Sequence, residues 1–226
     1  MLSTGIEGLD AVIGGGIPEG HIVTVFGAYG TGKTTFALHF IHEGLKNGEK
    51  CIFISLDEDE RSIMDTAKGF GMDFEQYSEN IEIIKLDPVA VKESMDKVKN
   101  DLLSAIKQMG AKRLVIDTVS ILEGLFDEKD RWLALSHLRD IIKKSEVTAI
   151  FTSEADKYSQ TTSKYGILEY VSDGAIALKY IRKSEIEEPI LALEVVKMRR
   201  VKHSRKLTPY MITDTGIRVL EGAELF

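Results

Sequence analysis

The sequence predicts an α/β fold: a mostly parallel, twisted sheet with helices on both faces and an antiparallel extension at the C-terminal end. Two observations predict it. Between residues 22 and 152, apolar runs of strand length alternate with helical patterns, as successive βαβ units require. After about residue 174 strand-like runs follow one another with no helix between them, which reads as hairpins or a meander at one sheet edge.

The parallel part needs strands at 22–27, 51–56, 81–86, 114–116 and 147–152, each a mostly apolar run. Helical patterns lie between them at 34–46, 60–70, 91–109 and 131–144. In the third, Val91, Met95, Val98, Leu102, Leu103, Ile106 and Met109 form one stripe, the buried face of a single helix. The extension comprises Ala175–Ile181, Ile190–Met198, Tyr210–Thr213 and Gly216–Leu220. No repeat, low-complexity tract or Pro/Ser-rich linker divides the chain, so residues 1–226 are expected to form one domain.

Composition narrows the function. With 43% apolar and 29% charged residues the chain reads as an ordinary globular protein, and no apolar stretch is long enough to span a bilayer. Cys51 is the only cysteine and sits in an apolar run, so it reads as a buried strand residue in a reducing cytoplasm. The N-terminus lacks the features of a signal peptide. A net charge of −7 argues against a general affinity for nucleic acid or anionic membrane. That charge is unevenly spread: acid gathers at residues 57–60, and base between Lys197 and Lys206. Asn and Gln are scarce beside Lys and Glu, a bias of heat-adapted proteins. Trp132 and the methionines read as core or interface residues.

Residues 27–34 read G-x-x-x-x-G-K-T between the first strand and the first long helix, the setting in which this pattern binds phosphate. Gly27, Gly30 and Gly32 let the backbone bend until its N–H groups point inward, and the positive end of the following helix adds to the field on an anion. Ala28, Tyr29, Thr31 and Thr35 complete the expected contact with ATP. Lys33 can reach the β- and γ-phosphates, and the Thr34 hydroxyl can take one Mg²⁺ position. Leu114 to Ile116 is an apolar strand ending in Asp117, placed where ligands of open α/β sheets collect, so Asp117 is the candidate Mg²⁺ carboxylate. Asp57 and Glu58 follow the second strand and can orient or deprotonate the attacking water. Asp59 and Glu60 read as acids at the start of the next helix.

Around these motifs stand Ser3-Thr4-Gly5-Ile6, Leu9-Asp10, Gly14 to Gly20, Thr152-Ser153-Glu154, Lys197-Met198-Arg199 with His203, and Thr213 to Gly216. In this order they resemble the KaiC-like branch of the RecA superfamily, near archaeal RadA paralogues, from about Ser3 to Gly216. The resemblance implies a RecA-like P-loop NTPase fold and ATP sites between subunits of a ring, commonly six. It also implies that Lys197 and Arg199 reach a neighbour's γ-phosphate. Six cations within ten residues (Lys197, Arg199, Arg200, Lys202, Arg205 and Lys206) need an anionic partner in any case, unless they form a solvated hairpin. His203 either assists at such an interface or is structural.

Two departures bear on activity. The first carboxylate after strand two is usually Glu in these ATPases, and here it is Asp57, one methylene shorter. Where the two-domain clock protein of the family carries phosphorylated Ser and Thr, this chain has Glu169 and Tyr170. The leading expectation is a Mg²⁺-dependent ATPase, slow where the shorter Asp57 places the water poorly, whose nucleotide state alters its assembly or its grip on a protein partner. One alternative is a recombinase-like single-stranded DNA-binding ATPase of DNA repair. There DNA would meet the loops at Glu123–Arg131, whose acids Glu123, Asp127, Glu128 and Asp130 oppose phosphate, and at Ala155–Gly166, whose Lys157, Tyr158, Gln160, Lys164 and Tyr165 suit it. The other alternative is a nucleotide-gated scaffold with little turnover.

Overall fold

The computed structural model describes residues 1–182 and 188–223, so the expected domain span of 1–226 includes residues 183–187 and 224–226 outside the described part. The strands are β1 (Ile22–Gly27), β2 (Cys51–Ser55), β3 (Ile81–Lys85), β4 (Arg113–Asp117), β5 (Thr148–Glu154), β6 (Gly174–Ile181), β7 (Ile190–Met198), β8 (Thr208–Thr213) and β9 (Gly216–Val219). The α-helices are α1 (Leu9–Val12), α2 (Lys33–Lys46), α3 (Glu60–Gly69), α4 (Pro88–Glu93), α5 (Met95–Met109), α6 (Val119–Glu123), α7 (Glu128–Ser145) and α8 (Leu168–Val171). The sheet runs β3-β2-β4-β5-β1-β6-β7-β8-β9, parallel from β3 to β6 and antiparallel beyond.

Side chains along the inner strands alternate between two cores, as a period of two dictates. Phe53 and Val115 join Phe36, Phe40 and Ile41 of α2 on one face. Ile52, Ile54, Leu114 and Ile116 face α5, α6 and α7 on the other. Arg113 is fully buried at the start of β4: it donates to the carbonyls of Ser3 (2.7 Å) and Phe40 (2.9 Å), pairs with Glu49 and stacks on the Phe40 ring. Cys51 is buried as expected, and burial pushes its thiol up to about 12.

The structure departs from the sequence reading in three places. The helix expected over 91–109 is broken at Ser94, whose φ of −126° and ψ of 36° separate α4 from α5. Val91 and Met95 are four residues apart and keep the stripe in phase across the break, so periodicity conceals it. β6 pairs parallel with β1 and belongs to the main sheet, so the antiparallel part begins at β7. The β8–β9 hairpin also packs over α2: Tyr210 donates to the Thr31 carbonyl at 2.6 Å, and His39 Nε2 accepts the Ile217 N–H at 2.9 Å. Burial pushes His39 down to about 4, which keeps it neutral for that role. Of the two readings offered for Trp132 and the methionines, core or interface, the 39% exposure of Trp132 and 49% of Met211 exclude the core for these two and leave the interface open.

Candidate nucleotide-binding site

β1 is flanked by β5 and β6, so the loop that follows it opens at the C-terminal edge of the sheet's centre. Gly32, at the N-cap of α2, has φ 87°, and a Cβ there would meet the Ile212 side chain at 2.9 Å. Only glycine takes that conformation freely in so tight a place. Gly27 has no room for a side chain either, since a Cβ would lie 2.5 Å from the Leu178 carbonyl oxygen. The Thr31 hydroxyl closes the turn on the Ala28 carbonyl at 2.8 Å. Lys33 lies within the curve and donates to the Gly27 and Ala28 carbonyls at 3.1 and 3.0 Å. Burial lowers its pKa, against the pull of Asp117 and Glu154. Thr34 and Thr35 follow in the first turn of α2, while Ala28, Tyr29 and Gly30 form the exposed rim.

β4 brings Asp117 to the same place. The Thr34 hydroxyl donates to Asp117 Oδ2 at 2.8 Å, and Thr152 of β5 donates to Oδ1. Asp117 is 8% exposed, and burial raises its pKa although both hydroxyls and Lys33 favour the charged form. A carboxylate so placed is suited to a divalent cation: the ion would relieve its desolvation, and the Thr34 hydroxyl beside it offers a second oxygen.

Ser55, paired with Asp117 in register, shapes the turn after β2. Its hydroxyl accepts the N–H groups of Asp57 (3.3 Å) and Glu58 (2.9 Å), and Lys85 of β3 donates to the Asp57 carbonyl. Both side chains are exposed at the edge next to Asp117. Burial raises the pKa of Glu58, with Asp117, Asp57 and Asp59 adding to the effect. Asp59 caps α3 by accepting the Ser62 N–H at 2.8 Å, the helix-start role expected of it.

Lys197 and Arg199 stand elsewhere. Lys197 pairs with Ala175, which lies beside Thr24 near the start of β1. The phosphate loop begins about 10 Å further along, three residues at the usual strand rise. Lys197 donates instead to the Glu169 carbonyl, and Arg199 is 3.8 Å from Asp173. Burial and the adjacent Arg199 lower the Lys197 pKa. Both residues lie at the edge of the sheet opposite the chain's own phosphate loop. Gly14 holds the basic segment close, because a Cβ there would fall 2.4 Å from the Lys202 carbonyl oxygen. His203 is half-buried and bonds the Ser204 carbonyl through Nδ1 at 2.8 Å.

Glu154 is a site residue for which the sequence suggested no role. It ends β5 opposite Gly27, pairs with Lys164 and hydrogen-bonds Tyr29. Burial raises its pKa, but the Lys164 and Tyr29 contacts outweigh that, so it stays below its ordinary value. Beside it lies a cleft of about 630 Å³ lined by Tyr29, Lys157, Tyr158, Lys164 and Tyr180. The other expected loop, Glu123–Arg131, is mostly helical, and Glu123 is 1% exposed within it. Glu123 therefore does not present the surface charge expected to oppose phosphate.

The comparisons accord with this geometry. A family model described as the KaiC ATPase matches residues 2–224. The circadian clock oscillator protein KaiC of Parasynechococcus marenigrum (strain WH8102) is 30% identical over 233 residues, 96% of this chain and 44% of that protein. The circadian clock protein KaiC2 of Synechocystis (strain PCC 6803) is 31% identical over 228 residues, 96% of this chain and 39% of that protein. The chain thus spans less than half the length of these relatives. A crystal structure of a KaiC-like protein from the hyperthermophilic archaeon Pyrococcus horikoshii OT3 superposes with a TM-score of 0.85 at 35% identity, covering 96% of this chain and 97% of that one.

Proposed function

This chain belongs to the KaiC family of RecA-like P-loop ATPases, and on that premise we propose that it binds MgATP and hydrolyses it as a single ATPase domain working in a ring or other multimer in the cytoplasm. The observation that carries the reading is the convergence of Lys33, Thr34 and Asp117 at the mouth of one glycine-walled loop. Inward N–H groups and Lys33 would hold the phosphates, while Thr34 and Asp117 would hold the metal. Mg²⁺ held there would supply neutralisation of the charge that builds on the phosphates. Asp57 or Glu58 would orient a water toward the γ-phosphorus. Its oxygen forms the new P–O bond as the bond to the β-phosphate breaks, giving ADP and phosphate. The raised pKa of Glu58 suits proton acceptance from that water better than an ordinary carboxylate would.

The multimer rests on the displaced cations. Lys197 and Arg199 are turned from their own loop, so service to a phosphate requires a second copy. Exposed Trp132 and Tyr170, 5.8 Å apart between ring centres, and exposed Leu133 supply apolar surface on α7 and α8, close to the carbonyl that Lys197 contacts. A recombinase-like second reading is supported by the cleft beside the loop, where Tyr29 and Tyr158 are 79% and 96% exposed and could stack on bases.

Steady-state ATP hydrolysis tests these readings, with Mg²⁺ or with chelator, with or without single-stranded DNA, on wild type and Lys33→Ala. Mg²⁺-dependent turnover lost in Lys33→Ala is the expected result. Turnover that survives the substitution removes the proposed site. Stimulation by DNA moves the assignment to the recombinase-like reading, and tight binding without turnover moves it to a nucleotide-gated scaffold.

A further inference from the structure

The break at Ser94 leaves space beneath it. A cavity of about 220 Å³ lies between the ends of β2, β3 and β4 and the helices α4 to α7. Ile54, Leu86, Met95, Leu102, Ala105 and Ala134 are among its walls, and Asp101 is the one charged lining residue among the described residues. Water there would lack the two to four polar partners that hold buried water in place. An apolar cavity of about 150 Å³ stays dry and takes up benzene, so this one has room for a molecule of one or two rings. Several wall residues, Ile84, Leu86, Met95, Val98 and Leu138, are only partly buried, so the cavity opens to solvent and an occupant would withdraw further apolar surface from water.

We propose that this cavity is a binding site for a small, neutral, apolar molecule of one-ring to two-ring size. Size excludes a partner helix, whose diameter with side chains is about 10–12 Å. Wall chemistry excludes an anion, because among the described residues the only charge in the lining is that of Asp101. A cation is disfavoured because the rest of the lining offers it no oxygen ligand. Two wall residues, Leu56 and Ile116, immediately precede Asp57 and Asp117, so an occupant touches the strands that carry the nucleotide-site carboxylates. That last link rests on the proposed function; binding in the cavity does not.

The test uses toluene as the probe and benzoate as its charged counterpart, on the full chain without nucleotide, by ligand-observed NMR and by thermal shift. Saturable toluene binding that raises Tm, with no binding of benzoate, is expected. Ala105→Leu and Ala134→Leu each fill the cavity and should abolish that binding. A wild-type-like far-UV CD spectrum and a single cooperative thermal transition in either variant certify that it is folded. Leu102→Ala enlarges the cavity and should extend binding to anthracene, a three-ring molecule that the wild-type cavity is too small to admit. Absence of saturable binding to wild type, or equal binding by the filled variants, overturns the proposal. Because no nucleotide is present in the toluene titration, failure of the ATPase reading leaves its result intact.

Discussion

Glu123→Gln should make the protein more resistant to unfolding in alkaline solution while changing little in acid. Glu123 ends α6 with both carboxylate oxygens buried and without a hydrogen-bond partner among the described residues. Its nearest cation is committed elsewhere: Arg131 donates to the carbonyls of Glu123 (2.8 Å) and Phe126 (2.7 Å) and stacks on Tyr165 at 3.8 Å. Burial pushes the Glu123 carboxyl up to about 8; Arg131 and Lys164 pull it down, and Glu169 raises it further. The folded pKa of this acid thus lies above its unfolded value of 4.5. Between those two values the folded chain holds the proton and the unfolded chain has lost it, so stability falls as pH rises from about 4.5 to about 8. At 1.36 kcal/mol per unit, the full span corresponds to about 5 kcal/mol, to order of magnitude. Glutamine copies the protonated shape and cannot ionise. The assay is urea unfolding of wild type and variant from pH 5 to pH 9. The stability difference in favour of glutamine should grow from pH 5 to about pH 8 and level off above it. A difference independent of pH would show that the carboxyl titrates normally and would refute the reasoning.

Of Glu58→Gln and Asp57→Asn, the substitution at the residue that handles water should lower kcat by about 10²–10⁴-fold and leave ATP affinity nearly unchanged. Unaltered turnover in both would take the carboxylates after β2 out of the chemistry. Mixing inactive Lys33→Ala with inactive Arg199→Ala should restore part of the activity, because a mixed assembly contains sites with an intact loop facing an intact Arg199. No recovery despite subunit exchange, followed by mass photometry, would count against action across an interface. Thermal unfolding should have its midpoint above the mesophile range of about 45–65 °C. A midpoint within that range would discard the compositional inference from scarce Asn and Gln.

What was legible in the sequence was what local chemistry dictates. Phosphate binding uses backbone N–H groups, glycines and one lysine within eight residues, so the motif and its flanking strand and helix contain nearly the whole requirement. Asp117 was legible for a similar reason, since a carboxylate closing an apolar run must stand at a strand end. Features set by distant partners were not. Arg113 follows Lys112 and looks like a solvent-facing charge, yet the carbonyls of Ser3 and Phe40 bury it. Glu123 looks like one more acid on an acidic loop until α6 turns it inward. One-turn helices such as α6 and α8 are too short to carry a period, and without α8 the run at β6 could not be told from the start of a meander.

The distribution of charge over the sheet also bears on the proposed assembly. At the C-terminal edge stand Asp57, Glu58, Asp117 and Glu154, against Lys33, Lys85 and Lys164, and Lys164 is held by Glu154. A polyphosphate entering there meets more acid than base, so its binding needs added positive charge. Mg²⁺ is one source. The basic segment from Lys197 to Lys206 lies at the opposite edge, where Asp173 takes up one of its charges. Two copies placed head to tail bring the basic edge of one against the acidic edge of the next. Contacts of that kind join different surfaces, and when the rotation between copies closes they generate rings. The same placement would give Lys197 and Arg199 the anion that the other end of their own sheet cannot offer, and would make nucleotide at each site a bond between neighbours.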